Sequence, residues 1–420
     1  MMFHKGIRSG CILLLLTGLG VFAPASQGVS QTPPASSKQE QPKVSLASRA
    51  SFVGDETCSS CHREEGASYA HTAHHLTSQM PDEQSILGSF SEGANLLKIS
   101  DPAPVIGDPG VSYKMERRGD GYFVTAITEI NGQKQSRSER MDLVIGSGTR
   151  GQSYLYWSGD ALFELPVSYW SDGRQWINSP GYRNGTPVFD RPASPRCLEC
   201  HITYIDQIPS GSSVNRYNRA SLVPGIGCEV CHGAGAEHVA RHKAQPGPLR
   251  GDPIVNPTRL ARDRQIDMCA LCHNGALQTA NVKAFAYKPG EPLNGHLKAP
   301  EDMNLHLDVH ANQVGLLEAS RCYRSSPEMT CSTCHDVHAP ERTAASYSPK
   351  CLACHQVTSC GMEKKLGHRI ADNCIDCHMP VEQTNAIVSE TGDQVIRTNM
   401  RSHTIAVYPQ QGQPFSQEKR

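Results

Sequence analysis

The apolar positions of this chain are spread unevenly, and their spacing divides it into stretches of different character. One apolar run, Cys11–Phe22, follows the basic residues His4, Lys5 and Arg8 and precedes Ala23-Pro24-Ala25. A basic start, a short apolar middle and a small-residue end form the pattern of a cleaved secretory signal over residues 1–25. The run is short for a bilayer span, and no later stretch is apolar enough for one. Cys11 stands at the head of the run, so it does not read as a lipid-attachment cysteine. Residues 26–50 are rich in Ser, Gln, Pro and Lys and read as a disordered linker. A first segment, 51–84, carries a helix-compatible run at 58–80.

Residues 85–190 predict strands. Val111–Met115 and Tyr122–Ile127 flank Gly119-Asp120-Gly121, and Asn131-Gly132 follows. Tyr154–Trp157 and Leu162–Trp170 flank Ser158-Gly159-Asp160. Short apolar runs either side of such residues are hairpin signals. Residues 191–405 are broken by Gly and Pro into short helical fragments, and 406–420 form a polar tail expected to be loosely ordered at its end. The expected fold class is mainly α and irregular, with a β-rich insert.

Composition sharpens this picture. Only 38% of the 420 residues are hydrophobic, which is low for so long a chain and fits an interior filled by something besides side chains. The formal charge is −1 and no basic cluster stands out, which argues against nucleic-acid binding. Seventeen cysteines point to disulfides or attached cofactors in an exported chain.

Spacing decides between these. Cys-x-x-Cys-His occurs seven times: Cys58/Cys61/His62, Cys197/Cys200/His201, Cys228/Cys231/His232, Cys269/Cys272/His273, Cys331/Cys334/His335, Cys351/Cys354/His355 and Cys374/Cys377/His378. A shuffled chain of this composition would hold about 0.03 copies. Each cysteine of such a motif can add to one haem vinyl group as a thioether, and the adjacent histidine then reaches the iron from one face. Zinc ribbons use Cys-x-x-Cys pairs but have no reason to place His after each pair. Thioredoxin-type motifs occur singly. The expectation is seven covalently attached haem c groups on an exported chain. Two propionates per haem would add roughly seven negative charges in the ferric state.

A sixth iron ligand must come from elsewhere. Eleven further histidines follow residue 25: His71, His74, His75, His238, His242, His296, His306, His310, His338, His368 and His403. His74 is favoured within the first cluster and His238 over His242. His310, His368 and His403 are further candidates. His338 lies three residues after His335, a span of at most about 10 Å, too short to wrap around one porphyrin. If it ligates, it serves a different haem, which packs two haems closely; a surface histidine is the alternative. No histidine follows shortly after Cys269–His273, so its sixth ligand is open. Cys322 and Cys360 lie outside the motifs and bracket two of them. A disulfide between them is expected, worth roughly 4 kcal/mol in the chain-entropy model; two separate thiols are the alternative.

These segments resemble the cytochrome c-554 group and its relatives, the hydroxylamine oxidoreductase and pentahaem nitrite reductase cytochromes. The likeness rests on Cys228-Glu-Val-Cys-His-Gly-Ala-Gly-Ala-Glu-His238, on Ser320-Arg-Cys322-Tyr with Cys331-Ser-Thr-Cys-His-Asp-Val-His338, and on Cys374-Ile-Asp-Cys-His-Met-Pro380. Asp308-Val-His310 matches a distal-ligand position in that group. The resemblance implies closely packed, mostly bis-His haems. It covers both carriers and enzymes. Those nitrite reductases replace one motif histidine by lysine, whereas every motif here ends in His. The leading expectation is electron transfer between a redox protein donor and acceptor, with no integral membrane segment after signal cleavage. The alternative is an oxidoreductase acting on a small nitrogen or sulfur compound at one five-coordinate haem, placed at Cys269–His273.

Overall fold

Two antiparallel sheets form where the turn residues sit. Asn131 and Gly132 both have positive φ, 52° and 75°, the pairing a type I′ hairpin needs. Gly119 (φ 59°) and Gly159 (φ 63°) turn the neighbouring hairpins. In chain order the strands are β1 (Ser78–Gln79), β2 (Leu96–Ile99), β3 (Val111–Arg118), β4 (Gly121–Ile130), β5 (Gln133–Arg140), β6 (Leu143–Ile145), β7 (Gly151–Ser158), β8 (Ala161–Trp170) and β9 (Gln175–Asn178). One sheet has the order β2-β3-β4-β5, the other β1-β6-β7-β8-β9. The computed structural model describes residues 51–100, 110–185, 187–209, 211, 213–248, 250–275, 284–297, 308–310, 312–340 and 343–408. The signal and linker expectations, Cys11, His306 and the end of the polar tail therefore fall outside the described residues.

The sheets pack face to face. Val111, Tyr113, Met115 and Val124 from the first share one core with Val144, Tyr154, Tyr156, Leu165 and Val167 from the second. On β3, buried residues fall at every second position, the period a half-buried strand requires. The five-stranded sheet is covered on its other face too. There Leu143, Leu155 and Leu162 pack with Leu198, Ile202, Ile205 and Tyr217, so this sheet is the platform under the Cys197–His201 motif.

The remaining chain consists of short helices and loops, with a small pair β10 (Ile202–Tyr204) and β11 (Val223–Pro224). It ends in a long hairpin, β12 (Val381–Thr391) with β13 (Gln394–Arg401). This hairpin starts right after the last motif and reaches the β lobe. Asn178, fully buried, donates from its backbone N–H to Thr391 and from its side chain to Glu390 O, and its carbonyl accepts from the Ser389 hydroxyl. The described residues are therefore less helical than expected, at 29% helix and 27% strand. The hairpin is the element missed, because its strands are mostly polar and exposed and give no apolar alternation. Among the described residues, no helix is long and apolar enough to cross a membrane.

Candidate haem-binding sites

Each motif sits on or beside a short helical turn. The main-chain N–H of the histidine bonds the carbonyl of the first cysteine in His62→Cys58, His335→Cys331, His355→Cys351 and His378→Cys374, at 2.9–3.1 Å. That closure puts the first cysteine and the histidine on one side of the turn, as attachment to a planar macrocycle requires. Ser194 caps the turn that carries Cys197, accepting from the Cys197 N–H.

Four of the seven motif histidines face other histidines. His62 and His238 have ring centroids 6.3 Å apart and planes 23° from parallel. His232 and His338 lie at 6.0 Å and 19°, His335 and His403 at 5.9 Å and 23°, and His74 and His273 at 6.0 Å and 84°. A metal held between two imidazole nitrogens at ~2 Å each puts the ring centroids roughly 6 Å apart. Ordinary stacking would bring them closer. The other ring nitrogens are engaged. His232 Nδ1 reaches Val255 O at 2.8 Å, His378 Nδ1 reaches Ala406 O at 2.8 Å, His201 Nδ1 reaches the Thr77 hydroxyl at 3.0 Å, and His238 Nδ1 reaches Asp252 at 2.6 Å. With Nδ1 tied back, Nε2 points away and is the free donor, the arrangement typical of a metal-bound histidine.

His273 shows the space between these rings. Burial, and then the neighbouring His74, pull its pKa to about 4, yet its residue surface is open to solvent-sized space. His403 is similarly depressed to about 4 by burial and by His335 beside it. Cys-x-x-Cys pairs and opposed imidazoles together fit haem c.

Buried carboxylates lock the motifs to one another. Glu229, inside the third motif, accepts the main-chain N–H groups of Val53, Gly54 and Gly235 at 2.8–3.1 Å. In return Asp55 accepts the Cys228 N–H at 2.8 Å. Glu199, inside the second motif, accepts the Phe285 N–H, and Arg196 bridges Glu199 to Leu271 O beside the fourth motif. The thiols follow the same pairing: Cys58 bonds Cys228, Cys200 bonds Cys272, Cys269 bonds Cys331 and Cys351 bonds Cys374.

Of the distal candidates read from the sequence, His74, His238, His338 and His403 lie opposite motif rings in this way. His338 faces the third motif rather than its own, as the three-residue spacing demands. His310 lies near enough to His201 to add to the burial that lowers its pKa. Asp308 holds that loop, accepting the His310 N–H, the Thr384 hydroxyl and the Asn385 N–H. His368 stands apart: its side chain is 80% exposed and its nearest charged neighbour is Glu363 at 3.8 Å. His355 is exposed too, and among the described residues no histidine ring opposes it or His378.

One open position gains a candidate, and one expectation needs correction. His273, left without a sixth ligand by the sequence, faces His74, which is distant in sequence and adjacent in space. The Cys322–Cys360 bridge is absent, and both are free thiols. Cys322 sits beside Cys334 and Cys351, whereas Cys360 sits beside Cys377, so each belongs to the surroundings of a different motif.

Motifs, fold and opposed rings define a multihaem c-type cytochrome. The family model described as cytochrome c554 and c-prime matches residues 178–233. The C-type polyheme cytochrome OmcC of Geobacter sulfurreducens is 31% identical over 172 residues, 35% of this chain and 20% of that one. OmcB of the same species is 32% identical over 94 residues, 21% of this chain and 11% of that one. The matches thus span a fifth or less of these relatives' length. The crystal structure of the outer cell wall cytochrome OcwA has a TM-score of 0.52 at 16% identity, covering 84% of this chain and 79% of that one, and shows a shared fold.

Proposed function

We propose that the chain is an exported heptahaem cytochrome that carries electrons through closely packed, mostly bis-His haems between a redox protein donor and a redox protein acceptor. The contact pattern of the motif cysteines carries this reading. Besides the four bonded pairs, Cys231 lies close to Cys269, and Cys334 close to Cys354. Taken together, these contacts connect all seven motifs without a break. The residues supply two sulfurs and one imidazole per site, and His238, His338, His74 and His403 supply the opposite imidazoles, with His310 toward His201. Haem bound there provides a one-electron iron couple, held low by bis-His ligation relative to Met/His. The basic-apolar-small start of the chain supports export, and so does the likeness to OcwA, an outer cell wall cytochrome.

Intact mass of matured holoprotein should exceed the processed polypeptide by seven haems that survive denaturation. Recovery of five or fewer would sink the count. Electron paramagnetic resonance should show mostly low-spin ferric iron.

One observation favours a second reading, chemistry on a small nitrogen or sulfur compound at an open iron. The His74 ring beside His273 favours a location other than Cys269–His273 for it. The motif histidine His355 is exposed and has no opposing ring among the described residues. A high-spin ferric signal that shifts with added nitrite or hydroxylamine, and disappears in His355→Ala, would support it.

A further inference from the structure

The helix Ala236–Ala244 places His238 and His242 one turn apart on the same face, with ring centroids 4.5 Å apart. A single carboxylate, on the loop that returns beside this helix, meets both. Asp252 Oδ1 lies 2.6 Å from His238 Nδ1, and Oδ2 lies 2.9 Å from His242 Nε2. Arg241 of the same helix fastens that loop by donating to Gly251 O at 2.9 Å. The loop is therefore gripped at two neighbouring residues, and both carboxylate oxygens are committed.

The other tied-back rings have weaker partners. The Nδ1 atoms of His232, His378 and His201 meet two carbonyls and a hydroxyl, all neutral. A carboxylate bonded to the far nitrogen of a metal-bound imidazole makes that ligand more basic and fixes its tautomer and orientation. More electron donation favours the ferric form, so it lowers the reduction potential.

We propose that Asp252 is a positioning and tuning residue for the haem attached at Cys58 and Cys61, acting through His238 and braced by His242, so that this haem is a low-potential terminus of the array. The inference rests on His62/His238 ligation. The terminal placement follows from the cysteine contacts described above, in which the first motif joins only the third, through Cys58 and Cys228. The same three side chains could grip a divalent cation. The ring geometry favours the haem reading, because His238 spends only Nδ1 on Asp252, which leaves Nε2 uncommitted, and its ring centroid lies 6.3 Å from that of His62.

The test uses matured holoprotein and four variants: His238→Ala, Asp252→Asn, Asp252→Glu and His242→Gln. His238→Ala should convert one iron of the array to high spin. If no high-spin iron appears, the ligation reading fails and this inference falls with it. With ligation established, Asp252→Asn should keep every haem and every low-spin signal. It should raise the ferrous/ferric ratio of one haem at least tenfold at fixed applied potential, about 59 mV for one electron, in a spectroelectrochemical titration. Asp252→Glu should restore most of the parent value, and His242→Gln should give a smaller shift in the same direction. Unchanged potentials in Asp252→Asn with the haem count intact would overturn the proposal. So would a stoichiometric zinc or other non-haem metal in the parent that is lost in His242→Gln, which would make the cluster a metal site. If Asp252→Asn loses the haem altogether, the His242→Gln titration decides: a shift confined to one haem supports the proposal, and no shift overturns it.

Discussion

Tyr113 and Glu229 are buried almost equally, at 0% and 4% exposure, but by opposite means. Tyr113 is surrounded by side chains of two sheets. Glu229 is surrounded by main-chain N–H groups from three points of the chain. The β lobe holds together as ordinary domains do, by burying apolar area at roughly 25 cal/mol per Å². The motif-bearing region has small apolar clusters, such as Ile266, Ala270, Leu271, Leu293, Leu297 and Val314, and is tied together by charged hydrogen bonds between motifs. One region is folded by its own side chains, and the other has few of them to rely on.

The largest test of that contrast removes the cofactor. A chain with every motif cysteine changed to serine should keep slow amide exchange in β3, β4, β7 and β8 and lose it across 228–275 and 331–378. The platform face under the second motif, Leu143, Leu155 and Leu162, should exchange faster than the inter-sheet core. Uniform protection, or uniform loss, would show that the two regions are not separable.

The next largest effect lies within the haem region. Glu229→Ala leaves the N–H groups of Val53, Gly54 and Gly235 without their acceptor. Hydrogen bonds to a charged group contribute ~1.5–3 kcal/mol each, and a buried donor left unsatisfied costs more. A loss of about 3 kcal/mol is expected, local to the first motif, seen as fast exchange over 53–62 and under-loading of the haem at Cys58/Cys61. Glu229→Gln should be intermediate, since it keeps an acceptor oxygen without the charge. A change confined to other haems would refute the clamp.

The lobe offers the converse case. The Tyr113 hydroxyl is buried with no hydrogen-bond partner, and burial raises its pKa. Tyr113→Phe removes an unsatisfied polar group and leaves the ring packing, so it should be neutral or stabilising by up to ~1 kcal/mol. Amide exchange from β3 and β4 measures it. A clear destabilisation would show that the hydroxyl is bonded in solution.

These two regions also differ in how far the sequence could be read. The lobe was legible because a turn such as Asn131-Gly132 acts locally and a strand's burial has a period of 2. The candidate haem-attachment residues were legible because Cys-x-x-Cys-His is local chemistry. The pairing of histidines was legible only where short spacing forced it, as with His338. His74 opposite His273 joins residues far apart in the chain, and nothing local marks it. The hairpin β12–β13 was hidden for another reason. It carries the chain from the seventh motif to the lobe and back, where Ser320 accepts from the Ile405 N–H and donates to His403 O. Its value lies in what its end delivers to His335, which no pattern along its own residues encodes.

The smallest predicted effect concerns charge on the outer face of the lobe. Glu116 on β3 accepts from Arg118, meets Lys114 at 3.0 Å and accepts from the Thr125 hydroxyl at 2.9 Å. The Arg118 bond is the main reason its pKa falls to about 2. A carboxylate with a folded pKa below its unfolded value binds protons more readily when unfolded. Its contribution is therefore fully present above pH ~4.5 and is lost as pH falls through about 2. Taken alone the shift would be worth several kcal/mol, but the Arg118 and Lys114 side chains are 46% and 47% exposed, and water and salt screen such pairs. Under ~1 kcal/mol is expected. Glu116→Gln should cost that much at pH 7 in low salt, less at 1 M salt, and nothing near pH 2, read from exchange protection of β3 and β4. A cost that persists at pH 2 would assign the effect to packing, and the outer face of this sheet would then hold the lobe together by contact, as its inner face does.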